Sequence, residues 1–329
     1  MSELRLTLAI NDYDHVRDLA CGRVRPEGID LRCLTMSQEE IFYRFTAFRE
    51  WEVSELSLAK YASLIAGGDP SLTAIPVFPS RMFRHSAIYV REGGRVRRPA
   101  DLRGARVGLP EWVVTAGVYA RATLAHEYDV PLETISWYQA GLEQPGREEL
   151  VSPRLPPGIS LTTVPDRTLV DMLLADDLEA IIAPRPPNRF SDPDSPIVRL
   201  FRDFRAVEAD SFRATGVFPI MHVVAVKRDV YDAHPWIGPN LMAAFEEAKR
   251  RSFQRLADVS ASWLPIPWSF DCLPEARSLL GEDPWPYGVA PNRATLSAFL
   301  GFAFEQGVCA RELEPEDLFP PSVQRTYRL

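Results

Sequence analysis

Cysteine is scarce in this chain of 329 residues, and the four present form no recognisable pattern. None lies in a CxxC pair or next to a histidine, so their spacing does not predict a metal site. Thinly spread cysteines are typical of free thiols in a reducing compartment, with one dispersed disulfide as the open alternative. The four are Cys21, Cys33, Cys272 and Cys309.

Long apolar runs are missing as well. No stretch approaches the roughly 18 apolar residues that a membrane span needs, and the N-terminus has neither a basic segment nor the unbroken apolar run of a signal peptide. Leu4, Leu6 and Leu8 alternate with other residues instead, which predicts a first strand. We therefore expect a soluble, cytoplasmic protein without a membrane partner.

Positive charge is also in deficit. The chain has 37 lysines and arginines against 45 acidic residues, a formal net charge of −8. Nucleic acids and anionic membranes need a basic surface, so neither is expected as a partner. The GxSxG, GxxxxGK[ST] and GxGxxG motifs are absent, so the sequence shows no serine-hydrolase, P-loop or dinucleotide-binding signature. Any anion that this protein binds must be met by a few local cations.

Alternating strands and helices predict an α/β fold with two cores, since the chain is long for one. Strands are predicted near residues 3–10, 28–34 and 73–78, with helices at 37–48 and 54–66, and the pattern restarts near residue 99. Extended crossings near residues 84–90 and 216–226 join two lobes around a central cleft. Lobe 1 comprises residues 1–86 and 221–329, and lobe 2 comprises residues 87–220.

The first crossing carries the strongest candidate site residues. Ser80, Arg81, Arg84 and His85 lie where an apolar run stops and an alternating strand begins. The second crossing carries His222, and we expect both histidines at the floor of the cleft, where ligands bind by default. The other histidines, His15, His126 and His234, are expected to be surface or cap residues.

Further candidates follow predicted strands or begin predicted helices. Asp12 follows the first strand, although it could equally cap the next helix. Thr115 opens a helix whose free N–H groups could bind an anion, with Trp112 beside it as an apolar wall, or it could be a plain cap. Arg185 follows a buried strand at 179–184, which would place its cation in the cleft. An exposed loop position is the alternative.

Several longer segments resemble the 4,5-dihydroxyphthalate decarboxylase family. They are Asn11-Asp12-Tyr13-Asp14, Arg25 to Leu31, Ile75 to Arg81, Phe83-Arg84-His85-Ser86, Asp101 to Gly104, Phe218 to His222, His234-Pro235-Trp236, Trp285 to Gly288 and Leu318-Phe319. Asp129 and the turn at residues 176–179 depart from the family, which has glycine there. The resemblance implies the two-lobe clamshell of type II periplasmic binding proteins.

The resemblance also implies non-oxidative loss of CO2 from a dihydroxylated aromatic dicarboxylate, 4,5-dihydroxyphthalate, to give 3,4-dihydroxybenzoate. We expect Arg81, Arg84 and Arg185 to bind the carboxylate that stays. His85 is the expected acid and His222 its partner or the phenol base, although the two roles could be reversed.

Asp12 is the other candidate for the phenol base. No cofactor is expected, but a divalent ion held by His85, His222 and Asp12 is an open alternative. A non-catalytic solute-binding protein for a small carboxylate is the rival function, because the fold alone does not exclude it. A homodimer through the extra helices of lobe 1 is also expected.

Overall fold

Two β-sheets form the framework of the computed structural model, which describes residues 3–324. The first sheet has the strand order β2-β1-β3-β11-β4. Its strands are β1 (Leu4–Ile10), β2 (Ile29–Thr35), β3 (Val53–Ser57), β4 (Leu72–Ile75) and β11 (His222–Lys227). Strands β1, β2 and β3 are parallel, whereas β11 runs antiparallel to β3 and β4. A late segment of the chain thus returns to the centre of the first sheet.

The second sheet is built from the middle of the chain in the order β10-β5-β9-β6-β7-β8. Its strands are β5 (Ile88–Arg91), β6 (Arg106–Leu109), β7 (Ser136–Gly141), β8 (Leu161–Thr168), β9 (Ala180–Ile182) and β10 (Ile197–Arg199). Strands β6 to β9 are parallel, and β5 is antiparallel to both of its neighbours. Parallel strands need crossover connections, which the helices supply.

Helices cover both sheets. In the first lobe they are α1 (Asp14–Ala20), α2 (Gln38–Phe48), α3 (Leu58–Ala66), α7 (Arg228–Ala233), α8 (Ile237–Ala257), α9 (Cys272–Leu280), α10 (Arg293–Glu305) and α11 (Pro321–Gln324). In the second lobe they are α4 (Thr115–His126), α5 (Leu169–Leu174) and α6 (Phe204–Thr215). Helix α2 begins as the sequence predicts, because the Ser37 hydroxyl accepts the N–H of Glu40 at 3.3 Å. No helix within residues 3–324 is long and apolar enough to cross a membrane.

The helix expected over residues 54–66 is wrong at its start. Residues 53–57 form β3, and helix α3 begins only at Leu58. Strand β3 is buried along its whole length because it lies between β1 and β11. A strand that is buried on both faces lacks the alternation that identifies a half-buried strand, so its apolar residues merge with those of the following helix. Glu55 is consequently on a central strand.

The two crossings run side by side. Arg81 and Ile220 form an antiparallel bridge, the N–H of Met221 donates to the Ser80 carbonyl at 2.8 Å, and the N–H of Met82 donates to the Pro219 carbonyl at 3.2 Å. Backbone hydrogen bonds therefore join the two connections between the lobes. The expected α/β architecture of two lobes and two crossings is confirmed.

The chain's last long helix packs against both lobes. The rings of Phe299 in α10 and Tyr119 in α4 have centroids 5.3 Å apart, and Arg121 in α4 donates to the Gln306 side chain at 2.7 Å. Elsewhere the Tyr61 hydroxyl in α3 donates to the Leu318 carbonyl at 2.5 Å. Residues 293–318 therefore bridge the lobes, and one continuous hydrophobic cluster contains side chains of both sheets.

Candidate active site

A buried carboxylate lies at the centre of the first sheet, in the middle of β3. The side chain of Glu55 is fully buried. Its Oε2 atom accepts the N–H of Asn11 at 2.9 Å, and its Oε1 atom accepts the Tyr13 hydroxyl at 2.6 Å. The Nδ1 atom of His222 is also 2.6 Å from Oε1. A buried charge needs such compensation, and Glu55 receives it from three donors.

His222 reaches Glu55 because of the register of β11 on β3. His222 pairs with Ser57, so Glu55, two residues earlier, is its diagonal neighbour on the same face. An ionised carboxylate only accepts, which places the ring proton on Nδ1 and leaves Nε2 as the reactive nitrogen. Within residues 3–324 no group forms a hydrogen bond with Nε2. Phe42 packs edge-on at 4.8 Å between ring centroids, which fixes the ring plane.

Tyr13 connects this pair to the start of α2. Its hydroxyl donates to Glu55 and accepts a hydrogen bond from the Gln38 amide at 2.6 Å. Burial raises the pKa of Tyr13 above its ordinary value, the charge of Glu55 adds to the effect, and hydrogen bonds from Gln38 and Ser80 oppose it in part. Tyr13 is therefore a neutral donor at physiological pH, and Ser80, an expected binding residue, is beside it.

His15 is not the surface residue that the sequence suggested. Its Nε2 atom is 3.0 Å from the Pro79 carbonyl, and its ring lies between those of Tyr13 and Trp285, with centroid distances of 5.2 and 5.4 Å. Burial lowers the pKa of His15 to about 4. The ring is therefore neutral at physiological pH and packs behind Tyr13.

The structure does not bring His85 and His222 together, as the crossing geometry had suggested. His85 starts a short 3-10 turn that leads into β5, so its side chain enters the second lobe. Its Nε2 atom is 3.3 Å from the Glu127 carboxylate, and its ring packs edge-on against Phe201 at 5.2 Å. His85 is 3% exposed. The expected pairing of the two histidines at one point of the cleft is wrong.

Arg81 is buried between the crossings and the segment before α10. Its guanidinium donates to the carbonyls of Phe218 at 3.2 Å and Pro286 at 2.9 Å, and to the side chain of Asn292. Burial lowers the pKa of Arg81 to about 10, which still leaves it charged at neutral pH. Its Nε atom is buried and forms no hydrogen bond within residues 3–324.

Arg84 is held in a similar way on the side of the second lobe. It donates to the Pro184 carbonyl and to the sulfur of Met221, each at 2.9 Å. Burial lowers the pKa of Arg84 to about 10. Both crossing arginines therefore stabilise the connection between the lobes.

Trp112 does not form a wall of the cleft. Its ring is fully buried, donates to the Gln306 carbonyl at 2.8 Å and packs against Trp137 and Arg121. The backbone ahead of α4 does bind an anion, but an internal one. The N–H groups of Trp112, at 2.9 Å, and of Val113 donate to the Glu149 carboxylate.

Thr115 lies where the two lobes meet. Its hydroxyl is 2.9 Å from that of Ser57 and accepts the N–H of Ala59 at 3.0 Å, so it satisfies a free donor at the start of α3. Thr115 thus joins the starts of α3 and α4. A ligand at either helix start would have to replace this contact.

Arg185 and Asp12 are the most exposed of the expected site residues. Arg185 donates to the Asn188 side chain at 3.3 Å, and its Nε atom is 3.8 Å from Glu39 of the first lobe. Asp12 is exposed and makes no hydrogen bond within residues 3–324. Asp12, His85 and His222 are not grouped, and the part of the chain that the structure describes contains no cluster of three or more metal-ligating side chains.

Sequence reasoning missed Glu55, Tyr13 and Gln38. The signal for Glu55 is a single acid between Val53 and Leu56, which the helix predicted over residues 54–66 conceals. Tyr13 lies in the segment Asn11 to Asp14, which resembles the family, but its acidic neighbours are the more obvious candidates there. For Gln38 no signal exists, since a glutamine at a helix start is common.

Comparison with known proteins supports the family resemblance. The chain is 38% identical to a 4,5-dihydroxyphthalate decarboxylase of Comamonas testosteroni over 330 residues, covering 100% of both chains. It is 35% identical to a 4,5-dihydroxyphthalate decarboxylase of Pseudomonas putida over 215 residues, covering 65% of this chain and 83% of that protein. No protein-family model matches the chain.

Solved structures support the fold. The alkanesulfonate-binding protein SsuA of Xanthomonas axonopodis pv. citri superposes with a TM-score of 0.53 at 13% identity, covering 94% of this chain and 96% of that chain. The CA3427 gene product of Candida albicans, described as having the generic periplasmic binding protein fold, superposes with a TM-score of 0.51 at 11% identity, covering 100% and 98%. The clamshell expected from the sequence is confirmed, and the chain belongs to the 4,5-dihydroxyphthalate decarboxylase family.

Proposed function

We propose that this protein releases CO2 from 4,5-dihydroxyphthalate and forms 3,4-dihydroxybenzoate. Membership of the family supports the reaction class. The observation that carries the assignment of the site is the Glu55–His222 pair, in which a buried carboxylate holds one ring nitrogen and leaves the other free. A histidine fixed in this way presents its second ring nitrogen for proton transfer to a substrate.

The reaction exchanges a C–C bond for a C–H bond. A proton adds to the ring carbon that bears the departing carboxylate, and the hydroxyl para to that carbon supplies electron density. The C–C bond then breaks, CO2 leaves, and the bonding electrons restore the aromatic ring. One proton is consumed and no oxidant is needed.

We assign the proton delivery to Nε2 of His222, which loses its proton from the doubly protonated ring and leaves a neutral ring with its proton on Nδ1. Glu55 positions the ring through Nδ1, and Tyr13, which stays protonated, is a fixed donor for a substrate oxygen. Gln38 and Ser80 surround the Tyr13 hydroxyl. Solvent returns the proton to His222 after each turnover. Asp12, exposed beside Tyr13, stays the predicted base for the para hydroxyl.

Closure of the lobes would favour this step. The charge of a carboxylate is lost as CO2 forms, so a site that excludes water favours the transition state over the ground state. Thr115 and Ser57 already join the lobes near His222, whose backbone pairs with Ser57. A cytoplasmic location and a homodimer stay predictions from the sequence.

Incubation with 4,5-dihydroxyphthalate, with CO2 and 3,4-dihydroxybenzoate as the measured products, tests this proposal. His222→Gln should lower kcat by at least about 100-fold, the usual contribution of a positioned acid. His126→Gln is the matched control, because its imidazole is half exposed, pairs with Glu305 and stacks on Phe302. His85→Gln should retain kcat within about threefold, since His85 packs in the other lobe.

Two results would contradict the proposal. Binding of the diacid without product would favour a solute-binding protein. A loss of kcat in His85→Gln together with wild-type kcat in His222→Gln would move the acid to the second lobe.

A further inference from the structure

Ion pairs connect the two lobes beside the candidate active site. Lys60 of α3 and Glu111, in the turn before α4, are both buried, and the Nζ atom of Lys60 is 2.9 Å from the Oε2 atom of Glu111. The other carboxylate oxygen of Glu111 accepts Arg147 through its Nε and Nη2 atoms, at 2.6 and 2.5 Å. Arg147 belongs to the segment between β7 and β8. Glu111 therefore orients the Arg147 guanidinium.

The remaining edge of Arg147 faces the first lobe. Its Nη1 atom is 3.9 Å from the Oε2 atom of Glu39. Arg185, from the turn after β9, places its Nε atom 3.8 Å from the Oε1 atom of the same carboxylate. Both distances exceed those of a hydrogen bond. Two guanidinium groups thus converge on one carboxylate without binding it tightly.

The location of Glu39 links this cation pair to the chemistry. Glu39 directly follows Gln38 at the start of α2, and Gln38 donates to the Tyr13 hydroxyl. The guanidinium groups therefore lie over the same helix turn that contacts the Tyr13–Glu55–His222 group. They approach it from the second lobe, so an anion bound between them would contact both lobes.

Charge in this group is unbalanced. The ion pairs join three cations, Lys60, Arg147 and Arg185, to two carboxylates, Glu39 and Glu111, an excess of one positive charge. The whole chain has a net charge of −8, so a local positive excess is not a general property of its surface. One more carboxylate would balance it. Planar guanidinium groups suit that partner because they can donate two parallel hydrogen bonds.

We propose that Arg147 and Arg185 bind the carboxylate that the aromatic substrate retains, and that Glu39 occupies this place in the free protein. This inference rests on the proposed function, since it assumes an aromatic diacid. On binding, the substrate carboxylate takes the two guanidinium edges and Glu39 turns to solvent, where its side chain is already 62% exposed. Arg147 is thereby a binding residue that the sequence did not reveal.

Steady-state kinetics with 4,5-dihydroxyphthalate test the inference. Arg147→Gln and Arg185→Gln should each raise KM by about tenfold or more, the effect of losing one charge-assisted hydrogen bond, with kcat within about threefold. Glu39→Gln should lower KM by about threefold, because it removes the competing carboxylate. Arg189→Gln is the matched control, since this arginine near Arg185 is exposed and its Nε atom is 3.9 Å from Asp192.

Product binding identifies which carboxylate is held. 3,4-Dihydroxybenzoate keeps the retained carboxylate, so both variants should weaken its binding by the same factor as KM, whereas catechol should bind them as it binds the wild type. Calorimetry measures both affinities and needs no turnover. If the wild-type chain forms no product but binds 3,4-dihydroxybenzoate through these arginines, the proposed reaction is wrong, whereas the carboxylate site at Arg147 and Arg185 is confirmed.

Three outcomes would overturn the proposed carboxylate site at Arg147 and Arg185. One is an unchanged KM in Arg147→Gln and Arg185→Gln while His222→Gln abolishes turnover. A second is a raised KM with unchanged product affinity, which would mean that the arginines hold the departing carboxylate. The third is an equal loss for catechol and 3,4-dihydroxybenzoate, which would mean that the ion pairs only hold the lobes together.

Discussion

The fully buried carboxylate of Glu55 is the residue on which the proposed chemistry depends most. Its two oxygens receive the Asn11 N–H, the Tyr13 hydroxyl and His222 Nδ1. Removing a buried charge's partners is costly, which is why such groups are held by several donors. The hydrogen bond between Glu55 and Nδ1 of His222 has a second effect. It fixes the tautomer of the ring in which Nε2 faces away from the carboxylate.

Glu55→Gln tests this dependence. The amide keeps the size of the side chain but presents N–H groups to donors, so His222 loses its fixed tautomer and we expect kcat to fall by roughly 100-fold. Stability should fall by about 1–3 kcal/mol, because a buried polar contact is left unmatched. Steady-state kinetics and denaturant unfolding measure the two effects.

Glu52→Gln is the control, since that carboxylate accepts the N–H of Thr7 on the same sheet and touches neither His222 nor Tyr13. Wild-type kcat in Glu55→Gln would remove Glu55 from the mechanism.

At the residue scale, the sequence directs attention to residue types that are rare. His222 attracted attention because histidines are few and it lies on an extended apolar run. Arg81 and Arg84 look like ligand-binding groups in sequence, whereas in the structure they donate to backbone carbonyls, to the Asn292 side chain and to a methionine sulfur. Which partner a guanidinium meets depends on tertiary contacts that a linear pattern does not contain.

Among the elements, the segment between β7 and β8 is rich in glycine, proline and glutamate, a composition typical of an exposed loop. Arg147 and Glu149 of this segment nevertheless contact the turn before α4. Glu149 accepts the N–H groups of Trp112 and Val113 ahead of α4. This carboxylate lies just ahead of the helix start that the sequence offered either as an anion site or as a plain cap.

Glu149 should make the stability of the chain depend on pH. Burial raises its pKa to about 7, because shielding from water outweighs the two N–H donors and the charge of Arg121, and the nearby charge of Glu111 acts in the same direction as burial. A raised acid pKa means that the folded chain binds the proton more tightly. The stabilisation is therefore complete below the unfolded pKa of about 4.3 and is lost as pH rises to about 7.

Glu149→Gln cannot ionise and should not show this loss. Relative to the wild type, its free energy of unfolding should rise by about 2 kcal/mol between pH 5 and pH 8, less than the full linkage value because Glu149 is partly exposed. Urea unfolding at four pH values measures the difference. Glu148→Gln, at the exposed neighbouring position, should show no such trend. A constant difference across the pH range would contradict the assignment.

Across the whole molecule, the sequence was sufficient for the two lobes and their crossings. Repeated strand and helix signals are local, and the restart near residue 99 marked the second sheet. The contacts that close the lobes were not predictable, because they pair residues far apart in sequence whose own patterns are ordinary. Thr115 looked like a helix cap and proved to join α3 to α4.

The Lys60–Glu111 pair should control the closure of the lobes. Both side chains are more than nine-tenths buried and come from opposite lobes. Glu111→Gln leaves the buried Lys60 charge uncompensated and should cost about 3–5 kcal/mol, whereas Lys60→Met leaves Glu111 paired with Arg147 and should cost less. The double variant should cost clearly less than the sum, because it leaves neither charge behind.

A double-mutant cycle by denaturant unfolding measures this coupling. Small-angle scattering should show a larger radius of gyration in the single variants if the buried charge reaches water by opening the lobes. Arg205 and Glu275 provide the control cycle, since both are well exposed and should couple by less than about 1 kcal/mol. Coupling between Lys60 and Glu111 no larger than in this exposed pair, with unchanged scattering, would mean that the lobes are held by apolar packing and the Thr115 contacts instead.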